Sequence, residues 1–344
     1  RKNNRDDFES VTWTTCPRLH PAWHIKAHTL MLDHNRERGV ARDMTLRIGK
    51  IPVFYLPYFS FPISSARQSG FLIPSMGSSE ERGFEVSIPY YWNIAPNQDA
   101  TFNLRPMTKR GLMAEAEYRF LGEKQEGTLY GALLANDRKR PHHPRWSWRG
   151  THQYHFNDQW HTDLLHQQVS DVDYVKDLTT DFRLYDEWYL ERHFTLYGNT
   201  DYGNLMLRAQ DYQRIDPVVS EADKPYSRVP QLTYNHTLKN GNWRYDVSAE
   251  AVHFRKDELG GANRYSGDVS AAYRLDAAYG YIEPQISANY AHYDYSTRKD
   301  KLRGKHHDRF LPTFSFDSKL TFERNFGWQG EDWTQTLEPR LYYL

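Results

Sequence analysis

The feature that most constrains this chain is a set of long segments in which apolar and polar residues alternate one by one. In the clearest, Trp243, Tyr245, Val247, Ala249 and Ala251 fall on one face, while Arg244, Asp246, Ser248 and Glu250 fall on the other. Successive side chains of a strand point to opposite sides, so a period of two sustained this long specifies a β-strand between two different surroundings. The pattern recurs at Leu112–Phe120, where Ala114, Ala116 and Tyr118 oppose Glu115, Glu117 and Arg119. It recurs again at Trp146–Phe156, where Trp148 and Tyr154 oppose Arg149 and Gln153. Tyr265–Tyr273, Ile282–Tyr290 and Phe310–Phe322 repeat it, several with rings at the ends of the apolar face. Terminal rings are what the interfacial girdles of a membrane barrel require.

From Phe84 to Leu344 the alternation predicts roughly fourteen strands of about nine to thirteen residues, the length at which a tilted strand crosses a bilayer. Composition agrees with a two-solvent sheet. Mean hydropathy is only −0.85, yet 15% of the 344 residues are aromatic. No segment has the long apolar run of a membrane helix, and the first residues, Arg1–Ser10, are charged rather than signal-like. A barrel tolerates low average hydropathy because half of each strand faces a polar lumen. Lys plus Arg equals Asp plus Glu at 44 each, so the net charge gives no reason to expect a nucleic-acid partner. The connections predicted at Lys109–Gly111 and Lys239–Asn242 are tight, whereas Asp137–Arg145, Val172–Glu191 and Arg298–Arg309 read as long polar loops, and this mixture also fits a barrel. A soluble β-sandwich or propeller shares the alternation but has shorter strands.

The first part of the chain reads differently. From Thr12 to Ile63 the strands are short, with Trp23, Ile25 and Ala27 alternating with His24, Lys26 and His28. Met44, Leu46 and Ile48 alternate likewise with Thr45 and Arg47, and a polar turn spans Asp33–Gly39. These six apolar residues are expected to line the interior of a small β-module, either as a closed core or as an apolar path. The boundary is placed in Phe61–Gly70, giving a module over 1–62 and barrel strands over 63–344. At the other end the alternation of Leu337 and Leu341 runs on to Leu344, so further strands are expected beyond it, because an open edge in lipid leaves costly unpaired backbone groups.

No chemical constellation emerges. Sixteen histidines include His24 with His28, His142 with His143 and His306 with His307, but none lies in a metal-binding frame, and solvated positions are expected. Nucleophile elbow, phosphate loop and dinucleotide fingerprint are absent, so neither an enzyme nor a metal or other cofactor is expected. Pro74 and Pro89 fall at the start of the barrel region, where each removes a backbone donor from its strand. Taken alone, they fit a loop start and a bulge as well as a weakened seam. The single cysteine, Cys16, is either a buried thiol or half of a bridge to a residue outside this chain.

Three stretches carry a resemblance: IPVFYLPYFSFP at Ile51–Pro62, RQSGFLIP at Arg67–Pro74 and PYYWNIAPNQDAT at Pro89–Thr101. They resemble the outer-membrane lipopolysaccharide-assembly proteins of the LptD (OstA, Imp) family, as do the YRFL strand Tyr118–Leu121, AVHF at Ala251–Phe254 and QTLEPRLYYL at Gln335–Leu344. The resemblance implies an all-β chain holding the last strands of a periplasmic jellyroll and the first half of a large antiparallel transmembrane barrel. It implies lipopolysaccharide as cargo, delivered by the bridge protein LptA, and a barrel plugged by the lipoprotein LptE and surrounded by outer-membrane lipid. It also implies that Pro74 and Pro89 belong to a lateral gate, that Trp23, Ile25, Ala27, Met44, Leu46 and Ile48 form a lipid path, and that Cys16 pairs with a cysteine near the far end of the whole protein. A porin or nutrient-uptake barrel is the competing reading; it shares the girdles but leaves the motifs between Ile51 and Thr101 unexplained.

Overall fold

The computed structural model describes residues 4–17, 21–65, 67–180, 184, 187–256, 260–296, 306–328 and 330–344. The fold is all-β and antiparallel, as the alternation predicts.

The first four strands, β1 (Arg5–Trp13), β2 (Trp23–Asp33), β3 (Arg38–Ile48) and β4 (Ile51–Pro62), form one sheet in chain order. Its register aligns Trp13, Ile25, Leu46 and Phe54 in one row, Trp23 with Ile48 in the next, and Met44 with Leu56. The apolar residues predicted to line an interior therefore share one face. Ala27 is buried, but Ile48 is 59% exposed and the other four are half-buried, so these strands alone leave the face partly open. Trp13 and Trp23 cover part of it, their rings 5.4 Å apart.

The longer strands follow. They are β5 (Gly70–Phe71), β6 (Ser75–Ser79), β7 (Gly83–Ala95), β8 (Gln98–Met107), β9 (Gly111–Leu121), β10 (Gln125–Leu134), β11 (Arg145–His155) and β12 (Trp160–Val169). A short helix, α1 (Tyr174–Leu178), precedes β13 (Tyr189–Thr200), β14 (Gly203–Arg214), β15 (Ser227–Asn240), β16 (Trp243–Lys256), β17 (Gly260–Tyr273), β18 (Leu275–Ala277), β19 (Gly280–Ser296) and β20 (His306–Leu320). The last strands are β21 (Phe322–Trp328), β22 (Glu331–Leu337) and β23 (Arg340–Tyr343).

These strands belong to two compact units, Arg1–Arg149 with Val169–Thr180, and Gly150–Gln168 with Asp181–Leu344. In the first unit β5 and β6 both pair with β7, and β7 to β10 each pair with the next. In the second, β12 to β17 form an antiparallel meander, and β19 pairs with β17, β18 and β20. The expected strand Phe310–Phe322 is divided: pairing with β19 stops at Leu320, and Phe322 opens a separate hairpin in which it faces Leu337.

The first connections after β7, including 108–110, are all short, and from β9 to β16 short and long ones alternate. The segments 96–97, 122–124, 156–159, 201–202 and 241–242 are short, and between them come the longer 135–144, 170–188 and 215–226. The tight turn 108–110 is closed by Gly111 at φ 126°, a conformation open to glycine because a Cβ there would lie 2.8 Å from the Asn136 carbonyl oxygen.

Burial is inverted relative to a water-soluble sandwich. In β16 the apolar Trp243, Tyr245 and Val247 are exposed, while Arg244, Asp246 and Glu250 are half-buried. In β19 Ile286 is 63% exposed. Buried side chains of the strands include the charged Asp99, Arg105 and Arg145. Apolar groups turned outward and ions turned inward are the pattern of strands with lipid on one side and a polar lumen on the other.

Candidate functional site: an interrupted first strand and a buried ion network

The first of the long strands is in two pieces. Gly70 faces Tyr91 and Phe71 faces Tyr90, but Ser75 faces Ser87, so β5–β6 carries one residue more than β7 over the same stretch. Pro74 lies in the break, between the paired pieces rather than within them, and Pro89 lies in β7 opposite Asn103 of β8. One backbone bond bridges the break, from the Leu72 N–H to the Pro89 carbonyl at 2.9 Å. Both proline nitrogens lack a proton, so the ladder cannot be made continuous here. The side chains beside the break are exposed, Ile73 at 80% and Phe71, Leu72 and Met76 at about half. The sequence-predicted pair thus meets at one irregularity, with Pro74 ending the pairing and Pro89 supplying the carbonyl that spans it.

The second feature was not anticipated from sequence. The stretches Asp137–Arg145 and Val172–Glu191 read as long polar loops, yet Asp137, Arg145 and Asp177 are buried there. Asp137 is fully buried and accepts Arg110 Nη1 at 3.0 Å, Arg145 Nη1 at 3.2 Å and the Lys139 N–H at 2.9 Å. Arg145 also grips Asp171 with two bonds, 2.9 and 2.7 Å, and Asp177 at 2.7 Å. Arg110 completes the net through Asp177 at 3.1 Å and Glu81 at 3.0 Å.

Helix α1 is held onto this net by more than charge. Its Tyr174, Val175 and Leu178 are buried, Arg105 donates to the Leu178 carbonyl at 3.0 Å, and Arg82 donates to the Thr179 carbonyl at 3.2 Å. Ser147 donates to the Tyr174 hydroxyl at 2.9 Å, and burial pushes that phenol up to about 12. Arginine suits such positions because its planar fork serves several carboxylates at once. The signal available in sequence was complementary charge, the run Asp137–Arg140 against Asp171, Asp173 and Asp177, but alternation says nothing about loops that fold onto strands.

Electrostatics in the connections follows from these contacts. Burial would raise the Asp171 carboxyl, but the bonds from Arg145 and Ser170 and the nearby Arg140 more than reverse this and hold it below the ordinary range. Lys139 and Arg110 do the same for Glu81. Cys16, half-buried between β1 and β2, donates its N–H to Thr14 Oγ1 at 3.0 Å; hydrogen bonding to the Trp23 backbone and to Thr14 lowers its thiol.

Two family models match the chain, one described as LPS transport system D over residues 143–344 and one as LptD protein over 40–173. Relatives named LPS-assembly protein LptD align over nearly the whole chain. That of Pseudomonas syringae pv. syringae is 35% identical over 374 residues, covering 97% of this chain and 40% of the relative. Those of Nitrosomonas eutropha and Azoarcus sp. are 32% and 35% identical, covering 99% of this chain and 48% and 43% of themselves. The chain therefore spans less than half the length of these curated relatives. A bacterial polysaccharide outer membrane secretin aligns over 78% of this chain and 92% of its own at 12% identity, with a TM-score of 0.28, too loose a likeness to bear on the fold. The family model over 143–344 takes in every strand from β11 onward, and the second takes in both prolines and the buried ion network as far as Asp173, so the chain belongs to the LptD family.

Proposed function

We propose that this chain is part of an outer-membrane machine that moves lipopolysaccharide into the outer leaflet. Its relatives are named for that assembly, and the outward apolar faces of its strands suit residence in the outer membrane. The chain enters β5 at the strand end that carries the short turns 96–97 and 122–124. Short turns lie on the periplasmic side of outer-membrane barrels, so the four-stranded sheet is read as periplasmic and residues 63–344 as barrel strands.

On this reading the face bearing Trp23, Ile25, Ala27, Met44, Leu46 and Ile48 receives acyl chains from a periplasmic bridge protein, LptA. The break between β5 and β6 is the weak seam through which the saccharide leaves sideways. LptE fills the lumen, and Cys16 bonds to a cysteine outside this chain. The observation that carries the proposal is the slipped, proline-marked register at Leu72–Pro74 opposite Pro89. A closed barrel resists opening through its hydrogen-bond ladders, and here the ladder is incomplete.

The test is the Pro74→Ala, Pro89→Ala double variant of the full-length protein, as sole copy in cells. Newly made lipopolysaccharide should reach the surface more slowly and large antibiotics should enter more readily. Normal arrival with normal permeability would overturn the gate, and ion conductance by the purified protein without its lipoprotein would favour a porin.

A further inference from the structure

Two consecutive residues between β4 and β5 reach in opposite directions. Arg67 turns toward the long strands: Nε donates to the Tyr91 hydroxyl at 2.8 Å, Nη1 donates to the Pro96 carbonyl at 3.0 Å, and Nη2 pairs with Asp99. Asp99 is itself buried and is held from β9 by Arg119 through bonds of 2.8 and 3.0 Å. The backbone is fastened on the same side, Asn93 Nδ2 donating to the Arg67 carbonyl at 3.0 Å and the Asn93 N–H to Ser69 Oγ at 2.9 Å.

Gln68 turns the other way. Its Nε2 donates to the carbonyls of Arg36 and Glu37, at 3.1 and 2.9 Å, in the turn between β2 and β3. Glu37 is tied in twice more, its carbonyl accepting the Ile63 N–H at 3.0 Å and its carboxylate the Ser64 hydroxyl at 2.8 Å.

A connecting segment without regular structure is ordinarily the mobile part of a two-part chain. Here it is bolted on both sides. Charge balance alone does not require Arg67, because the buried Asp99 is already paired with Arg119. Geometry does: a guanidinium satisfied by three acceptors from β7, the turn after it and β8 has one orientation, and an amide bridging two successive carbonyls has one as well.

We propose that Arg67 and Gln68 are positioning residues that fix the four-stranded sheet against β7–β9, so that the path from the apolar row Ile25, Leu46, Phe54 to the break at Leu72–Pro74 stays continuous for an acylated glycolipid. The cargo rests on the transport reading above; the joint does not.

The experiment uses the full-length protein with its lipoprotein, as Arg67→Ala, Gln68→Ala and the conservative Arg67→Lys. Non-thiol spin labels at Lys50 and Glu123 report the distance across the joint, and photo-crosslinkers at Leu46 and Ile73 report lipopolysaccharide in cells. The alanine variants should broaden the distance distribution, keep capture at Leu46 and reduce capture at Ile73 severalfold, with Arg67→Lys between them and wild type. Unchanged distances would overturn the joint, and broadened distances with undiminished capture at Ile73 would overturn its positioning role. If Arg67→Ala does not assemble, Gln68→Ala, which removes only two bonds to carbonyls, decides in the same way. Absence of capture at both sites in wild type would instead sink the transport reading, leaving the distance result to judge the joint alone.

Discussion

Asp137 and Arg145 lie 3.2 Å apart with their side chains 0% and 2% exposed, and each is shared with other partners in the same buried net. A buried ion pair is strongly destabilising to break singly, because the surviving charge has no solvent. Asp137→Asn leaves Arg110 and Arg145 short of an anion and should cost about 3 kcal/mol or more. The folded-to-unfolded mobility shift of the detergent-solubilised protein on heating reports this. Glu117→Gln, at an exposed pair 3.8 Å from Arg119, serves as the near-neutral reference.

Asp171 gives the net a pH dependence of definite sign. Its carboxyl is held below the ordinary aspartate value of 3.8 by Arg145, so its contribution is complete above that value and disappears as pH falls through the lowered one. Hydrogen–deuterium exchange of 170–180, corrected for intrinsic rate, should be flat from neutral pH to 5 and rise only below the ordinary value. Asp171→Asn should raise exchange in the same segment already at neutral pH, and a rise in the wild type between 7 and 5 would contradict the assignment.

The outward apolar face makes a prediction that separates lipid from water. Ile286 is 63% exposed, so in a soluble protein Ile286→Arg would be close to neutral. Facing hydrocarbon, the same change should destabilise by about 2 kcal/mol or more, depending on depth. Refolding yield and stability in lipid vesicles provide the measurement.

Gly111 tests the turn that carries Arg110. At φ 126° with the Asn136 carbonyl 2.8 Å from where a Cβ would sit, Gly111→Ala must displace backbone. A loss of roughly 1–3 kcal/mol is expected, read by the same heat-mobility assay, whereas Gly131→Ala, with open space around it, should differ little in contacts.

The strands were legible because a sheet between two solvents writes its geometry into every second residue: Trp243 to Ala251 reads off directly as the outward face of β16. The row of apolar residues through Ile25 and Leu46 was legible for the same reason. Two things were not. The division at Thr321 was hidden because Phe314, Phe316 and Phe322 keep the same parity on either side of it, so alternation continues where pairing stops. Asp137, Arg145 and Asp177 were hidden because buried ions in a connection look, in a sequence, like any solvated charge; only the contacts among them reveal that the loops are packed. Pro74 and Pro89 stood out as donors removed, but the one-residue slip between them is a property of pairing.

The inverted burial also governs how the chain behaves away from a membrane. Judged by bulk hydropathy it resembles a hydrophilic protein, yet within each unit apolar side chains such as Ile73 and Ile286 stand exposed, and exposed apolar surface favours association in water. Detergent must therefore cover those side chains when the protein is handled in the test tube.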